Sequence, residues 1–189
     1  MRNQVKLSTL SIALVLALVA NVFTSTTSIA ATASEIRRDS RKALAKLYRT
    51  TPGAEALADK AVGTLVFPRV VKGGLIIGGQ YGDGELLENG KTVAYYRSIS
   101  GSVGLQAGAE AFGYVLFFMD EDSLRYLKKS NGWELGTGPT LVVLDKGFAK
   151  NLSTITARKG VFAFIFNQRG LMAGIGIQGS KISKIVPNK

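Results

Sequence analysis

The sequence predicts an α+β domain in which N-terminal helices pack on a strongly curved, Gly-rich, mainly antiparallel β-sheet or small barrel, with one further short helix. Two observations lead to this fold class. Helical periodicity is confined to the segments before residue 63 and near residues 120–131, and short β-branched and aromatic runs separated by turn residues fill the rest. Glycines also recur inside those runs, which indicates bends and close backbone approaches.

An N-terminal leader precedes this domain. Arg2 and Lys6 come before the apolar run 12–20, and small residues follow it. This order is typical of a secretory signal peptide, and the run is much shorter than the roughly 20 residues that cross a bilayer. We therefore expect 1–33 to be a signal peptide and 34–189 a single domain. The general secretory route should export this domain, which would make the protein periplasmic or extracellular. Cleavage after Ala30 and an uncleaved anchor are the alternatives.

Composition excludes several kinds of chemistry. The chain has no cysteine and no histidine, so disulfides, lipid attachment at cysteine, Cys/His zinc sites and His-dependent hydrolysis are ruled out, and we expect no cofactor. The formal charge is +11 and becomes +9 once the leader is removed with its two cations. Outside the cytoplasm, such a charge favours acidic lipid headgroups or envelope polymers over nucleic acid as partners.

The segment 34–48 has the pattern of a basic amphipathic helix. Its apolar positions recur at helical spacing, and cations occupy the remaining face. The apolar positions include Ile36, Leu44, Leu47 and Tyr48, and the cations are Arg37, Arg38, Arg41, Lys42 and Lys46. Two interpretations follow: the apolar stripe enters a lipid interface with the cations at headgroup level, or it packs on the sheet and leaves the cations in water.

A second short helix is expected over 54–62, and a third begins at Asp120 or Asp122 and stops at Asn131-Gly132. Nine runs of β-branched and aromatic residues are predicted to be strands. The Asn89-Gly90 pair between two of them predicts a hairpin turn. The runs are 64–67, 74–82, 92–99, 102–110, 114–119, 139–144, 153–157, 161–166 and 171–183.

The glycine-rich run 66–87 does not have the pattern of a phosphate-binding loop. A P-loop needs a lysine and a hydroxyl after its last glycine, and a dinucleotide loop opens a helix. Here Gly82 is followed by Asp83, and no helical period begins. The same interleaving of glycine with bulky residues returns in 173–177. These glycines are therefore predicted to be architectural, with backbone packed against backbone in a curved sheet.

Carboxylate chemistry has weak support. Asp120 to Asp122 lack the spacing of a calcium loop and are better explained as helix caps. Glu85, Glu88 and Glu110 are conceivable glycosidase carboxylates, although no spacing places them together. Trp133 is predicted to lie in the core rather than in a carbohydrate site. We expect no enzyme.

Three stretches, 61–87, 102–143 and 161–183, resemble the SYLF domain family, in its secreted bacterial branch. They are "AVGTLVFPRVVKGGLIIGGQYGDGELL", "SVGLQAGAEAFGYVLFFMDEDSLRYLKKSNGWELGTGPTLVV" and "VFAFIFNQRGLMAGIGIQGSKIS". The resemblance implies lipid binding by a basic surface and an N-terminal amphipathic helix. The corresponding positions are the five helix cations, with Arg69 and Lys72 beside the first glycine strand as weaker candidates. Export removes the phosphoinositides and actin that eukaryotic relatives use, so acidic bacterial lipids take their place.

The function expected from the sequence is therefore that of an exported, non-catalytic protein, bound peripherally to anionic lipid or envelope surface through the basic helix, with the Gly-rich sheet as scaffold. Two alternatives remain open. One is a structural or protein-interaction module of the envelope, and the other is a carrier that encloses an apolar ligand in its curved sheet.

Overall fold

A computed structural model describes residues 31–74, 77–103, 108–144, 159–170 and 176–188. The predicted leader through Ala30 and the predicted strand 153–157 lie outside these residues. The elements in chain order are α1 (Ala33–Thr50), α2 (Pro52–Ala58), β1 (Gly63–Gly74), β2 (Ile77–Glu88), β3 (Lys91–Val103), β4 (Gly108–Phe118), α3 (Glu121–Lys129), β5 (Trp133–Glu134), β6 (Leu141–Leu144), β7 (Val161–Gly170) and β8 (Lys181–Ile185).

The strands form one strongly curled sheet, a half-barrel, in the order β5-β8-β3-β2-β1-β4-β7-β6. All neighbours are antiparallel except β6 and β7. The predicted fold class is confirmed. Asn89 and Gly90 both have positive φ and join β2 to β3, as the hairpin signal predicts.

Several strand boundaries differ from the prediction. Of the run 171–183, the described residues 176–180 form a loop and a turn, and β8 begins only at Lys181. The run 74–82 is not one strand, because β1 continues through Gly74 and pairs with β2 as a hairpin. Likewise, the run 102–110 contains the end of β3 and the beginning of β4. In β1 the difference arises because Pro68 and Arg69 lie in a bulge, where proline is tolerated. The strand therefore continues past Pro68 instead of ending there.

Helices α1 and α2 cover the convex face of the sheet. The stripe of α1 packs with Leu57 of α2 and with strand residues such as Val66 and Phe164 in one apolar cluster. Ile36, Ala43, Leu44 and Leu47 are each at most 8% exposed. The concave face holds a second cluster around Phe67, Tyr114 and Trp133, closed by Leu124 and Leu127 of α3. Trp133 is 1% exposed, so its predicted place in the core is confirmed.

Several glycines permit the close approaches that curl the sheet. A Cβ atom built on Gly84 would lie 2.2 Å from the carbonyl oxygen of Val66, and one on Gly82 would lie 2.8 Å from that of Arg69. A Cβ on Gly113 would lie 2.8 Å from the carbonyl oxygen of Pro68. Backbone thus approaches where a side chain would stand, and the architectural interpretation is confirmed for Gly82 and Gly84. A Cβ on Gly176 would meet nothing within 4 Å, and residues 173–175 of the second glycine run lie outside the described residues.

Helix α1 begins with a capping box. The Thr32 hydroxyl accepts a hydrogen bond from the amide of Glu35 (3.2 Å), and the Glu35 carboxylate accepts one from the amide of Thr32 (2.9 Å). The amide of Ala33 also donates to the carbonyl of Asn188 (3.1 Å). Thr32 and Ala33 are thus part of the fold, and cleavage after Ala33 would remove the cap.

Candidate functional site

Helix α1 presents a cationic outer face on the convex side of the sheet. All five predicted cations are exposed, and Arg49 in the last turn adds a sixth that the sequence interpretation missed. Glu35 and Asp39 are the helix's two acids, so the helix carries a net charge of +4. The helical period that places Lys42 and Lys46 outward also places Arg49 there, which is the signal that could have found it.

The cations differ in how firmly they are held. Arg38 forms an ion pair with the neighbouring Asp39 at 2.9 Å, and Nη1 of Arg37 donates to the Tyr95 hydroxyl at 3.3 Å. Within the part of the chain that the structure describes, Lys42 and Lys46 are in no ion pair. Their ammonium groups are exposed and available to an external anion.

The apolar stripe of α1 is not available to lipid in this structure. Ile36 and Leu47 are each 3% exposed, Leu47 packs in the apolar cluster shared with the sheet, and Tyr48 is half-buried. The docked arrangement is therefore the one that the structure contains. Only the charged face of α1 and the stems of its long side chains reach the surface, so a membrane contact in this state would be electrostatic.

A buried carboxylate lies beneath α1. Glu85 of β2 is fully buried, Oε2 accepts a hydrogen bond from the Thr92 hydroxyl (2.8 Å), and Oε1 has no partner within the described residues. Burial raises the pKa of Glu85, and the hydrogen bond from Thr92 and the nearby Arg41 and Arg37 guanidinium groups oppose that rise. The carboxylate therefore costs stability when it is ionised.

We expect Glu85→Gln to raise the free energy of unfolding at pH 7. The pKa of Glu85 is raised in the folded state, so the protonated side chain stabilises the fold. This stabilisation is fully present below the unfolded pKa of about 4.3 and is lost as the pH rises through the folded pKa. The gain should therefore vanish near pH 4. Urea titrations at pH 4 and pH 7 test this, with exposed Glu134→Gln as the control. Equal stabilities of parent and Glu85→Gln at pH 7 would contradict it.

The two weaker candidates lie apart from each other. Arg69 is exposed in the β1 bulge. Lys72 pairs in register with Gln80 of β2 and Glu110 of β4, whose side chains are buried on the concave face. Paired residues share a face. Lys72 therefore points to the side of the sheet opposite α1, and the structure does not bring it to the helix cations.

A groove of about 530 Å³ separates α1 from α2 and the β2–β3 turn. Arg41 and Tyr48 line it from α1, and Glu55 and Asp59 line it from α2. Burial first, and then these two carboxylates, raise the pKa of Tyr48 to about 12. The groove is therefore acidic on its α2 side, whereas the outer face of α1 is cationic.

The carboxylates considered for catalysis do not form a pair. Glu85 faces α1 on the convex side, whereas Glu110 lies on the concave face. Asp120 is the N-cap of α3, with Oδ1 accepting from the Ser123 amide at 2.8 Å and Oδ2 from the Gly160 amide at 2.6 Å. Among the described residues, no three acidic side chains cluster in a way that would hold a metal ion.

The described helices are too short or too polar to cross a membrane. What the geometry defines is a helix-covered half-barrel domain with a cationic helix on its convex face.

The family model described as Ysc84, Las17-binding protein actin regulator, matches residues 99–185, from the last part of β3 through β8. The SYLF resemblance is confirmed for residues 99–185, which match the model of this family. No curated protein matches the chain.

Proposed function

We propose that this protein is an exported, non-catalytic SYLF-family protein that binds anionic lipid surfaces peripherally through the outer face of α1. The observation that carries this proposal is the exposure of all six α1 cations on a helix whose apolar face is fixed to the sheet. A docked helix fixes the positions of its charges without the entropy cost of ordering a free segment.

The magnitude is sufficient for measurable binding. Each cation near an acidic membrane surface contributes about 1 kcal/mol, and the attraction falls off within a Debye length of about 8 Å at physiological salt. Lys42, Lys46 and Arg49 are free of internal ion pairs in the described chain and contribute more than Arg38, which Asp39 neutralises. The proposed binding is therefore salt-sensitive and selective for acidic over neutral vesicles.

Phosphatidylglycerol and cardiolipin are the acidic lipids that an exported bacterial protein would meet. The family description names Las17 binding and actin regulation, which are properties of the family model and not findings on this chain. We therefore do not extend them to an exported chain.

Vesicle flotation of residues 31–189 tests the proposal, with phosphatidylcholine vesicles and with vesicles containing phosphatidylglycerol, at low and high salt. Binding only to the acidic vesicles, weakened by salt, is the expected result. No binding by a folded protein would overturn the proposal and favour a protein partner of the envelope. Deletion of α1 is a poor variant for this test, because it would open the apolar cluster on the convex face.

The carrier alternative receives less support. In the described residues the concave face is filled by large side chains, among them Phe67, Phe112, Tyr114 and Trp133, each at most 1% exposed. An apolar ligand would have to displace this packing.

A further inference from the structure

An apolar row crosses the part of the convex face that α1 leaves uncovered. Val71 of β1 pairs with Tyr81 of β2, and Tyr81 pairs with Ile99 of β3. The three side chains are 44%, 40% and 50% exposed, respectively. Since paired residues on neighbouring strands lie about 5 Å apart on one face, these side chains form one contiguous surface, which we call the convex patch.

Register fixes which side of the sheet carries the patch. Leu86 of β2 lies in the concave cluster, so the alternate positions Tyr81 and Glu85 point to the convex side. Glu85 pairs in register with Val66, which packs in the apolar cluster with α1, and this agrees with the assignment. The next convex row toward the hairpin tips consists of Gly73, Gly79 and Gly101, which pair with one another. The backbone beside the patch is therefore not covered by side chains of these three residues.

Cations surround the convex patch. The same row continues from Ile99 to Lys181 of β8 and from Val71 through Ala111 to Arg169 of β7, and both cations are exposed. Exposed Arg69 lies two residues before Val71. Glu134 pairs with Lys181 one strand further out, so Arg169 and Arg69 carry most of the positive charge.

The Tyr81 ring is held in place. Its hydroxyl donates to Asp83 (2.8 Å), and Cζ of Arg97 lies 4.8 Å from the ring centroid. Arg97 also binds the buried Asp83 carboxylate through two nitrogens at 2.7 and 3.0 Å. The aromatic centre of the patch is therefore preorganised, with an amphipathic ring of the kind enriched at membrane interfaces.

We infer that the convex patch is a second membrane contact, which places Val71, Tyr81 and Ile99 in the upper acyl region while Arg69 and Arg169 meet acidic headgroups. This inference rests on the proposed function and adds to it the apolar anchor that the docked α1 cannot supply. Protruding apolar side chains ringed by cations match an anionic bilayer in chemistry. A second copy of the chain fits less well, because stacking this face on itself would bring Arg69 and Arg169 of both copies together.

Quenching by lipids brominated on the acyl chain tests the inference directly. The native Trp133 is 1% exposed and provides a constant background. With phosphatidylglycerol vesicles, Ile99→Trp should lose a large part of its added emission, whereas Val93→Trp should not. Val93 is the matched control, because it is also 50% exposed and lies six residues away on β3, about 20 Å along the strand.

Affinity provides the second readout. Val71→Ser/Ile99→Ser should weaken vesicle binding by about tenfold, given the apolar area withdrawn from water, and Val93→Ser should leave binding unchanged. Both positions are exposed, so the fold should persist.

If the parent chain binds but Ile99→Trp is unquenched and the double variant binds equally well, the inference is overturned and the proposed function stands. If the parent chain does not bind, both are overturned. A dimer without lipid that the double variant abolishes would assign the patch to a second copy and overturn the inference.

Discussion

Gly84→Ala should destabilise the domain by about 3 kcal/mol, at the upper end of the usual cost of overpacking. A Cβ at this position would lie 2.2 Å from the Val66 carbonyl oxygen and 2.7 Å from Cδ1 of Phe67. The first of these atoms belongs to the backbone of β1, which cannot move without disturbing its pairing with β4. Urea unfolding of parent and variant measures the difference.

Gly101→Ala is the matched control for this prediction. Gly101 also lies within a strand, but a Cβ there meets nothing within 4 Å. Alanine restricts the unfolded chain, so Gly101→Ala should be neutral or stabilising by up to about 1 kcal/mol. If the two variants unfolded at the same urea concentration, the glycines would serve no packing role, and the account of the curled sheet would fail.

Lys42→Glu/Lys46→Glu should weaken binding to vesicles containing phosphatidylglycerol by at least about 30-fold. The loss of two lysine attractions of about 1 kcal/mol each accounts for that factor, and repulsion by the new carboxylates adds to it. Both lysines are exposed and outside the apolar clusters, so the fold should be retained. The salt dependence of the remaining binding should also be shallower.

Lys129→Glu/Lys184→Glu controls for net charge. These exposed lysines belong to α3, which packs on the concave face, and to β8, where Lys184 pairs with the concave Tyr96. The control changes the total charge by the same amount but leaves α1 intact. The affinity of this variant for the acidic vesicles should therefore fall far less than that of Lys42→Glu/Lys46→Glu. Equal losses from both pairs would show that the charge of the whole protein, rather than the face of α1, draws it to the membrane.

The sequence predicts elements well where local chemistry decides them. The Asn89-Gly90 turn, the Asp120 cap and the amphipathic α1 all rest on patterns within a few residues. Bulge-dependent features are different. Pro68 looks like a strand terminator, yet β1 passes through it, because the bulge that accommodates it arises from pairing with strands distant in sequence.

The site was only partly predictable for the same reason. Helical periodicity identifies the α1 cations but not whether the apolar stripe meets lipid or sheet, since both environments select the same pattern. The convex patch joins Val71, Tyr81 and Ile99 through the register of three strands, and no local signal sets them apart from core residues. Lys72 appeared to belong with Arg69, but strand alternation and the bulge place it on the concave face.

Chemical-shift mapping of the ¹⁵N-labelled chain on phosphatidylglycerol-containing nanodiscs tests most directly whether α1 and the convex patch contact an acidic membrane, because it locates the contact as well as detecting it. We expect the perturbed or broadened amides to cluster on α1 from Arg37 to Arg49 and on the convex rows of β1 to β3, while α3 stays unaffected, and we expect salt to reverse the change. Perturbations confined to the concave face or to α3, or none at lipid concentrations that saturate flotation, would contradict it.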